Sequence, residues 1–77
     1  MASSPKFKVY NSERGYIGCV KHAEDAAVLV SVQGVGSTVR HGHAVRDIVW
    51  TEGVDGFAAG SYDIAAEVMH ARIGGER

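Results

Sequence analysis

The chain has 77 residues, one cysteine and a formal net charge of −1 at pH 7. A single cysteine excludes a disulfide within the chain, and so small a net charge argues against strong attraction to nucleic acid or an anionic membrane. A chain of this length buries only a small core, which a second subunit often supplements. We therefore expect one globular domain over residues 6–77, a loose tail at residues 1–5, and self-association into a homo-oligomer.

The first half of the chain predicts three strands. Alternating polar and apolar residues predict a strand at about 6–10 and a second at about 16–20, where Gly18 indicates a bulge or a close backbone approach. Within the segment 26–33, valines occupy the alternate positions 28, 30 and 32. Because β-branched residues favour strands, this segment is predicted as a short central strand rather than a buried helix.

The second half predicts two more strands, at about 38–41 and 45–51, followed by a helix. The helix is predicted over about 61–73, with Ser61 as the N-cap and an apolar stripe at helical spacing. The Gly-Gly pair that begins at Gly74 marks its end.

These elements indicate a mainly β fold with one C-terminal helix. Short strands with glycine at the corners are typical of a small antiparallel SH3-like barrel or curled sheet, closed at one end by the helix. An open α+β sheet capped by the helix is the alternative.

Two groups of residues could carry chemistry. His41 and His43 are two apart, so on a strand both imidazoles would face the same way and could reach one metal ion. Two ligands do not complete a metal shell, so a polar turn with solvated histidines is expected instead. Trp50 places an aromatic ring near the carboxylates of Glu52 and Asp55, which could bind a ligand or act in acid–base chemistry. The more ordinary interpretation is a core tryptophan followed by an acidic turn.

Three further features are predicted to be structural. The glycine-rich segment 34–37 lacks the third glycine and the following helix of a dinucleotide-binding loop, so it is predicted to be a tight turn. Cys19 and His22 would point to opposite faces of a strand, and we expect a buried, inert thiol. An exposed aromatic platform for proline-rich peptides is the alternative to a core role for four residues, Tyr10, Tyr16, Trp50 and Tyr62.

In length and element order, the chain resembles the small SH3-like barrel proteins carried on mobile, integron-type gene cassettes. One such group is the plasmid-type (type II) dihydrofolate reductases, short chains that assemble as tetramers around a shared pore. The active-site run of that group, Val-Gln-Ile-Tyr on a late strand, has no counterpart here, where the late strand reads Asp47-Ile48-Val49-Trp50. The resemblance therefore concerns architecture and implies no reductase activity.

No motif identifies a reaction, and the sequence favours a small self-associating binding module with a ligand or partner site at a subunit interface. The alternatives are a small enzyme whose site is shared between subunits, or a histidine-based metal-binding protein. We expect a protein or small-molecule partner, no cofactor, and neither nucleic acid nor membrane as a partner. The polar start of the chain, residues 1–8, lacks the apolar segment of a signal peptide, so a cytoplasmic location is expected.

Overall fold

A computed structural model of the chain describes residues 6–41 and 48–74. Its elements in chain order are β1 (Phe7–Tyr10), β2 (Tyr16–Val20), α1 (Ala23–Gln33), β3 (Thr38–His41), β4 (Ile48–Thr51) and α2 (Tyr62–Gly74). The strands form one antiparallel sheet in the order β2–β1–β3–β4. Neither of these helices has the length and apolar character needed to cross a lipid bilayer.

The predicted sheet with a C-terminal helix is confirmed, whereas the closed barrel is not. The strands predicted at 6–10, 16–20 and 38–41 occur with bounds that agree within one residue, as does the helix predicted at 61–73. The strand predicted at 45–51 is present from Ile48, and residues 45–47 lie outside the described part of the chain. Within that part the sheet is open, with β2 and β4 at its edges, and two helices are present rather than one.

The prediction of a central strand at 26–33 is wrong, because this segment lies in α1. The residues that α1 buries recur at helical spacing: Ala23, Ala26, Ala27 and Val30. Alanine has the highest helix propensity and lets a helix approach a sheet closely. The regular spacing of the valines was misleading, since Val28 and Val32 are exposed on the other side of the helix.

Both helices pack against the same face of the sheet and against each other. Phe7 and Val9 from β1, Val39 from β3 and Trp50 from β4 point toward this helical layer, and Met69 of α2 is fully buried against them. Alternation along each strand sends the intervening side chains to the opposite face. The fold therefore has one covered sheet face and one face that the described residues leave open.

Each of the two edge strands has a bulge, at which two of its residues lie opposite one residue of the neighbouring strand. In β2 the extra residue is Ile17, since Val9 and Tyr10 pair with Gly18 and Tyr16. In β4 the extra residue is Val49. The bulge predicted at Gly18 thus occurs one position earlier, and such bulges increase the local twist of a strand.

Two single substitutions distinguish helix from strand in the valine-rich segment. Val30→Ala removes a fully buried side chain and should lower the free energy of unfolding by about 2 kcal/mol. Val32→Ala is the matched control: the side chain is 73% exposed, so a change below about 0.5 kcal/mol is expected. Urea denaturation measures both values. Equal losses would indicate that the two valines share a buried face, as on a strand.

Candidate functional site

The carboxylate of Glu52 lies in the interior, and the residue is 2% exposed. The indole Nε1 of Trp50 donates a hydrogen bond to Oε1 at 2.9 Å, and the amide of Ala58 donates to both carboxylate oxygens at 3.2 and 3.1 Å. The backbone of Glu52 also bonds to the amide of Gly36 and to the carbonyl oxygen of Ser37, each at 2.9 Å. These partners come from three segments, so Glu52 fastens the end of β4 to the chain that precedes β3 and to the loop before α2.

Asp55 is engaged in a similar way near the surface. Its Oδ2 accepts a hydrogen bond from the amide of Thr51 at 2.7 Å, and its two oxygens lie 3.0 and 3.1 Å from the guanidinium nitrogens of Arg72. Arg72 Nη1 also donates to the carbonyl oxygen of Val49 at 3.0 Å. The hydrogen bond from Arg72 is the largest cause that lowers the pKa of Asp55. This pair therefore links α2 to the edge of β4.

The structure separates the residues that the sequence singled out as a ligand site. Trp50 and Glu52 are buried together, whereas the ring of His41 lies on the helical side of the sheet, 4.6 Å from the ring of Phe7. His43 lies outside the described residues. Within residues 6–41 and 48–74, no three histidine, cysteine or acidic side chains are placed to hold a metal ion. The histidine pair stays a prediction.

The open face of the sheet presents aromatic, basic and hydroxyl side chains. Its two rows are Tyr16, Tyr10, Thr38 and Thr51 in one, and Cys19, Lys8, Arg40 and Ile48 in the other. The rings of Tyr10 and Tyr16 meet edge to face with centroids 5.5 Å apart. The Arg40 guanidinium lies 4.7 Å from the centre of the Tyr10 ring, with Nε 3.5 Å from Thr38 Oγ1. Two of the four aromatic residues proposed as a platform thus lie on this face.

A groove of about 620 Å³ crosses the open face, within the usual size range of small-molecule sites. Its floor and walls include Tyr10, Thr38, Arg40 and Thr51 from the strands, and Asn11, Ser12 and Arg14 from the turn between β1 and β2. Hydroxyl and guanidinium groups therefore converge on one concavity.

Arg14 has an unusual backbone conformation, with φ of 69°. The turn is fixed around it by Asn11, whose Oδ1 accepts the amides of Glu13 and Gly15 at 2.9 and 2.7 Å. The left-handed conformation costs a non-glycine residue about 1 kcal/mol. Strain of this kind is concentrated at functional sites, and Arg14 lines the groove.

Charge is segregated between the two sides of the molecule. The four described strands contain one lysine and one arginine, Lys8 and Arg40, and no aspartate or glutamate. Four exposed carboxylates lie on the two helices: Glu24, Asp25, Asp63 and Glu67. The net charge of −1 therefore conceals a basic open face and an acidic helical layer.

The expectation of a buried thiol at Cys19 is wrong, because β2 is an edge strand and the side chain is exposed on the open face. Hydrogen bonding with the Cys19 side chain is the largest cause that raises the pKa of Tyr16. The Tyr16 phenol therefore stays protonated at neutral pH, and its end of β2 carries no charge.

Sequence reasoning did not single out Arg14, Thr38 or Arg40. A signal was present in the period-two pattern of β1 and β3, which puts Lys8 and Tyr10 on one face and Thr38 and Arg40 beside them once the two strands pair. That pairing joins residues about 30 positions apart and is not visible in local sequence.

No family model matches the chain, and searches of curated proteins and of solved structures found no significant match.

The Asp55–Arg72 pair predicts a pH-dependent loss of stability. A lowered folded-state pKa means that the carboxylate stabilises the fold above the unfolded pKa of about 3.9, and that this contribution is lost as pH falls through the folded value. Asp55→Asn should therefore lower the free energy of unfolding by about 1 kcal/mol at pH 7, and by clearly less at pH 3.

Glu67→Gln removes one exposed carboxylate from α2 and serves as the control, with an expected change below about 0.5 kcal/mol. Urea midpoints at both pH values measure the effect. If the free energies of unfolding of Asp55→Asn and the wild type differed by the same amount at both pH values, the ionic role of Asp55 would be contradicted.

Proposed function

We propose that this protein is a small binding module, and that its site is the groove on the open face of the sheet. The observation that carries the proposal is the strained backbone of Arg14, a residue that lines the same concavity as Arg40. Arginine occupies this position although glycine would relieve the strain. Backbone strain clusters at ligand-binding and active sites, so a contact between the Arg14 side chain and a ligand would account for it.

The ligand that fits this groove is a small organic anion with a flat apolar part. Guanidinium groups bind carboxylates and phosphates through paired hydrogen bonds, and Arg14 and Arg40 supply two of them. The tyrosine ring and Ile48 offer apolar surface for the rest of the molecule. The hydroxyls of Thr38 and Thr51 can donate to or accept from its polar atoms.

A nucleic-acid strand fits less well. Affinity for nucleic acid grows with the number of phosphates that are neutralised, and the described open face has few cations, with acidic helices behind it. An enzyme that uses Glu52 and Asp55 is also less well supported, because both carboxylates already accept hydrogen bonds that fasten the fold.

NMR titration with phenyl phosphate and benzoate tests the proposal, with phenol as the neutral control. Both anions should shift the amide resonances of residues that line the groove, among them Thr38 and Thr51, more strongly than phenol does. Equal shifts with phenol, or no shifts in the groove with either anion, would contradict the proposal.

Arg14→Gly separates binding from folding. Glycine accepts positive φ without strain, so the free energy of unfolding should stay the same or rise by up to about 1 kcal/mol. Affinity for phenyl phosphate should fall about tenfold, the loss expected for one charged contact worth roughly 1.4 kcal/mol.

Lys8→Gln is the matched control for Arg14→Gly, since Lys8 is a cation of the same face that does not line the groove. Its affinity for phenyl phosphate should match the wild type. Unchanged affinity in Arg14→Gly, or equal losses in both variants, would show that the groove does not select the anion through Arg14.

A further inference from the structure

The edge of β4 has its outward backbone groups bonded within the chain. The Thr51 amide donates to Asp55 Oδ2 at 2.7 Å, and the Thr51 carbonyl oxygen accepts the amides of Val54 and Asp55 at 3.1 and 2.9 Å. The carbonyl oxygen of Val49 accepts Arg72 Nη1 at 3.0 Å. Because these groups are occupied, another strand cannot add to β4 without displacing them.

The edge of β2 is different. Bonded and non-bonded pairs alternate across antiparallel strands. The Thr51 groups point outward on β4, and this fixes which pairs are bonded along β3, β1 and β2. By this alternation, the backbone N–H and C=O groups of Tyr16 and Cys19 point away from the sheet. Within residues 6–41 and 48–74, no hydrogen-bond partner reaches the outer side of this strand. The strand therefore presents unused backbone donors and acceptors to a partner.

The side chains of β2 do not protect this edge. Edge strands commonly carry a charged residue such as lysine, a proline or a bulge, each of which discourages pairing with a second strand. The run from Tyr16 to Val20 contains no proline and no charged residue, so the bulge at Ile17 is its one feature of this protective kind, and both Tyr16 and Ile17 are exposed.

We propose that β2 pairs antiparallel with β2 of a second copy of this chain, about a two-fold axis. A two-fold interface sets a surface against itself, so it requires a strand that is compatible with its own sequence. An uncharged strand satisfies this condition, because no like charges meet across the axis. Pairing satisfies the outward groups of Tyr16 and Cys19 in both copies.

The resulting dimer has one continuous eight-stranded sheet. Both open faces lie on the same side of that sheet. Antiparallel pairing places the two-fold axis normal to the sheet, and rotation about this axis does not turn either copy over. The two grooves are then presented together on one surface, with the helices of both copies behind it. This proposal concerns the sheet edge and does not depend on whether the groove binds an anion.

Another surface competes with this edge for a partner. At the end of the molecule where α1 stops, Val35, Val54 and Phe57 are exposed. Nothing in the described residues indicates what would cover them, whereas the β2 edge specifies its partner through backbone geometry. A substitution at Val54, which is 79% exposed, therefore serves as the control.

Light scattering coupled to size exclusion tests the proposal on the full chain. The wild type should have about twice the chain mass of 8.2 kDa at high concentration. Ile17→Lys places like charges on both sides of the axis and should shift the mass to that of one chain, while Val54→Lys should leave the dimer intact. Circular dichroism establishes that both variants fold.

Hydrogen–deuterium exchange of the wild type gives a second measurement that does not require a variant. The peptide that contains residues 16–20 should exchange more slowly as protein concentration rises, because pairing protects the outward amides. The proposal is overturned by a wild type that stays monomeric, by dissociation in Val54→Lys but not in Ile17→Lys, or by exchange in β2 that does not change with concentration. Binding of an extended peptide to monomeric β2 would likewise assign the edge to a different partner.

Discussion

The fold depends on one buried carboxylate. Burying an ionised side chain is costly unless its oxygens are satisfied by well-placed donors, and Glu52 meets this condition through the Trp50 indole and the Ala58 amide. The same residue is bonded through its backbone to the segment that joins α1 to β3. Directly after it, Gly53 has φ of 87°, and a Cβ there would lie 2.8 Å from Val35 Cγ1, so glycine is required where the two segments meet. These contacts fix the order of β3 and β4 and the point at which α2 begins.

Both helices cover one face of the sheet, and the residues that the structure describes leave the other face open. Its cations lie on the strands and in the first turn, whereas the exposed carboxylates of the helices lie on the opposite side. The two edges of the sheet are also unequal. The outward groups of β4 are bonded to Asp55 and Arg72, whereas no partner for those of β2 is found within residues 6–41 and 48–74. The described residues therefore leave one face and one edge open, and the two adjoin at Tyr16 and Cys19. The groove and the self-pairing edge that we propose are thus neighbouring parts of one sheet.

The sequence predicted those elements whose patterns are local and unambiguous. Period-two alternation located β1, and helical spacing after Ser61 located α2. It failed at α1 because alanine contributes little to a hydrophobic pattern, yet Ala23, Ala26 and Ala27 are the buried positions, while valines spaced as on a strand lie partly in solvent. The sequence drew attention to the acids near Trp50, but it does not reveal that Glu52 accepts a hydrogen bond from the Ala58 amide while Asp55 pairs with Arg72. The groove could not be predicted either, because Arg14 and Arg40 come to line the same groove only through the pairing of β1 with β3 and the strained turn.

We infer that the Trp50–Glu52 pair belongs to the framework of the fold and is not a reactive site. Chemical denaturation of Glu52→Ala and Glu52→Gln provides the test. Glu52→Ala should lower the free energy of unfolding by roughly 3 kcal/mol, because the indole and the Ala58 amide lose a buried acceptor. Glu52→Gln should lose about half as much, since one amide oxygen can accept both hydrogen bonds. Residues retained for activity often cost stability, so their replacement tends to stabilise a protein. A Glu52→Ala variant as stable as the wild type, or more stable, would show that Glu52 does not hold the framework together and would point to a functional role for the buried carboxylate.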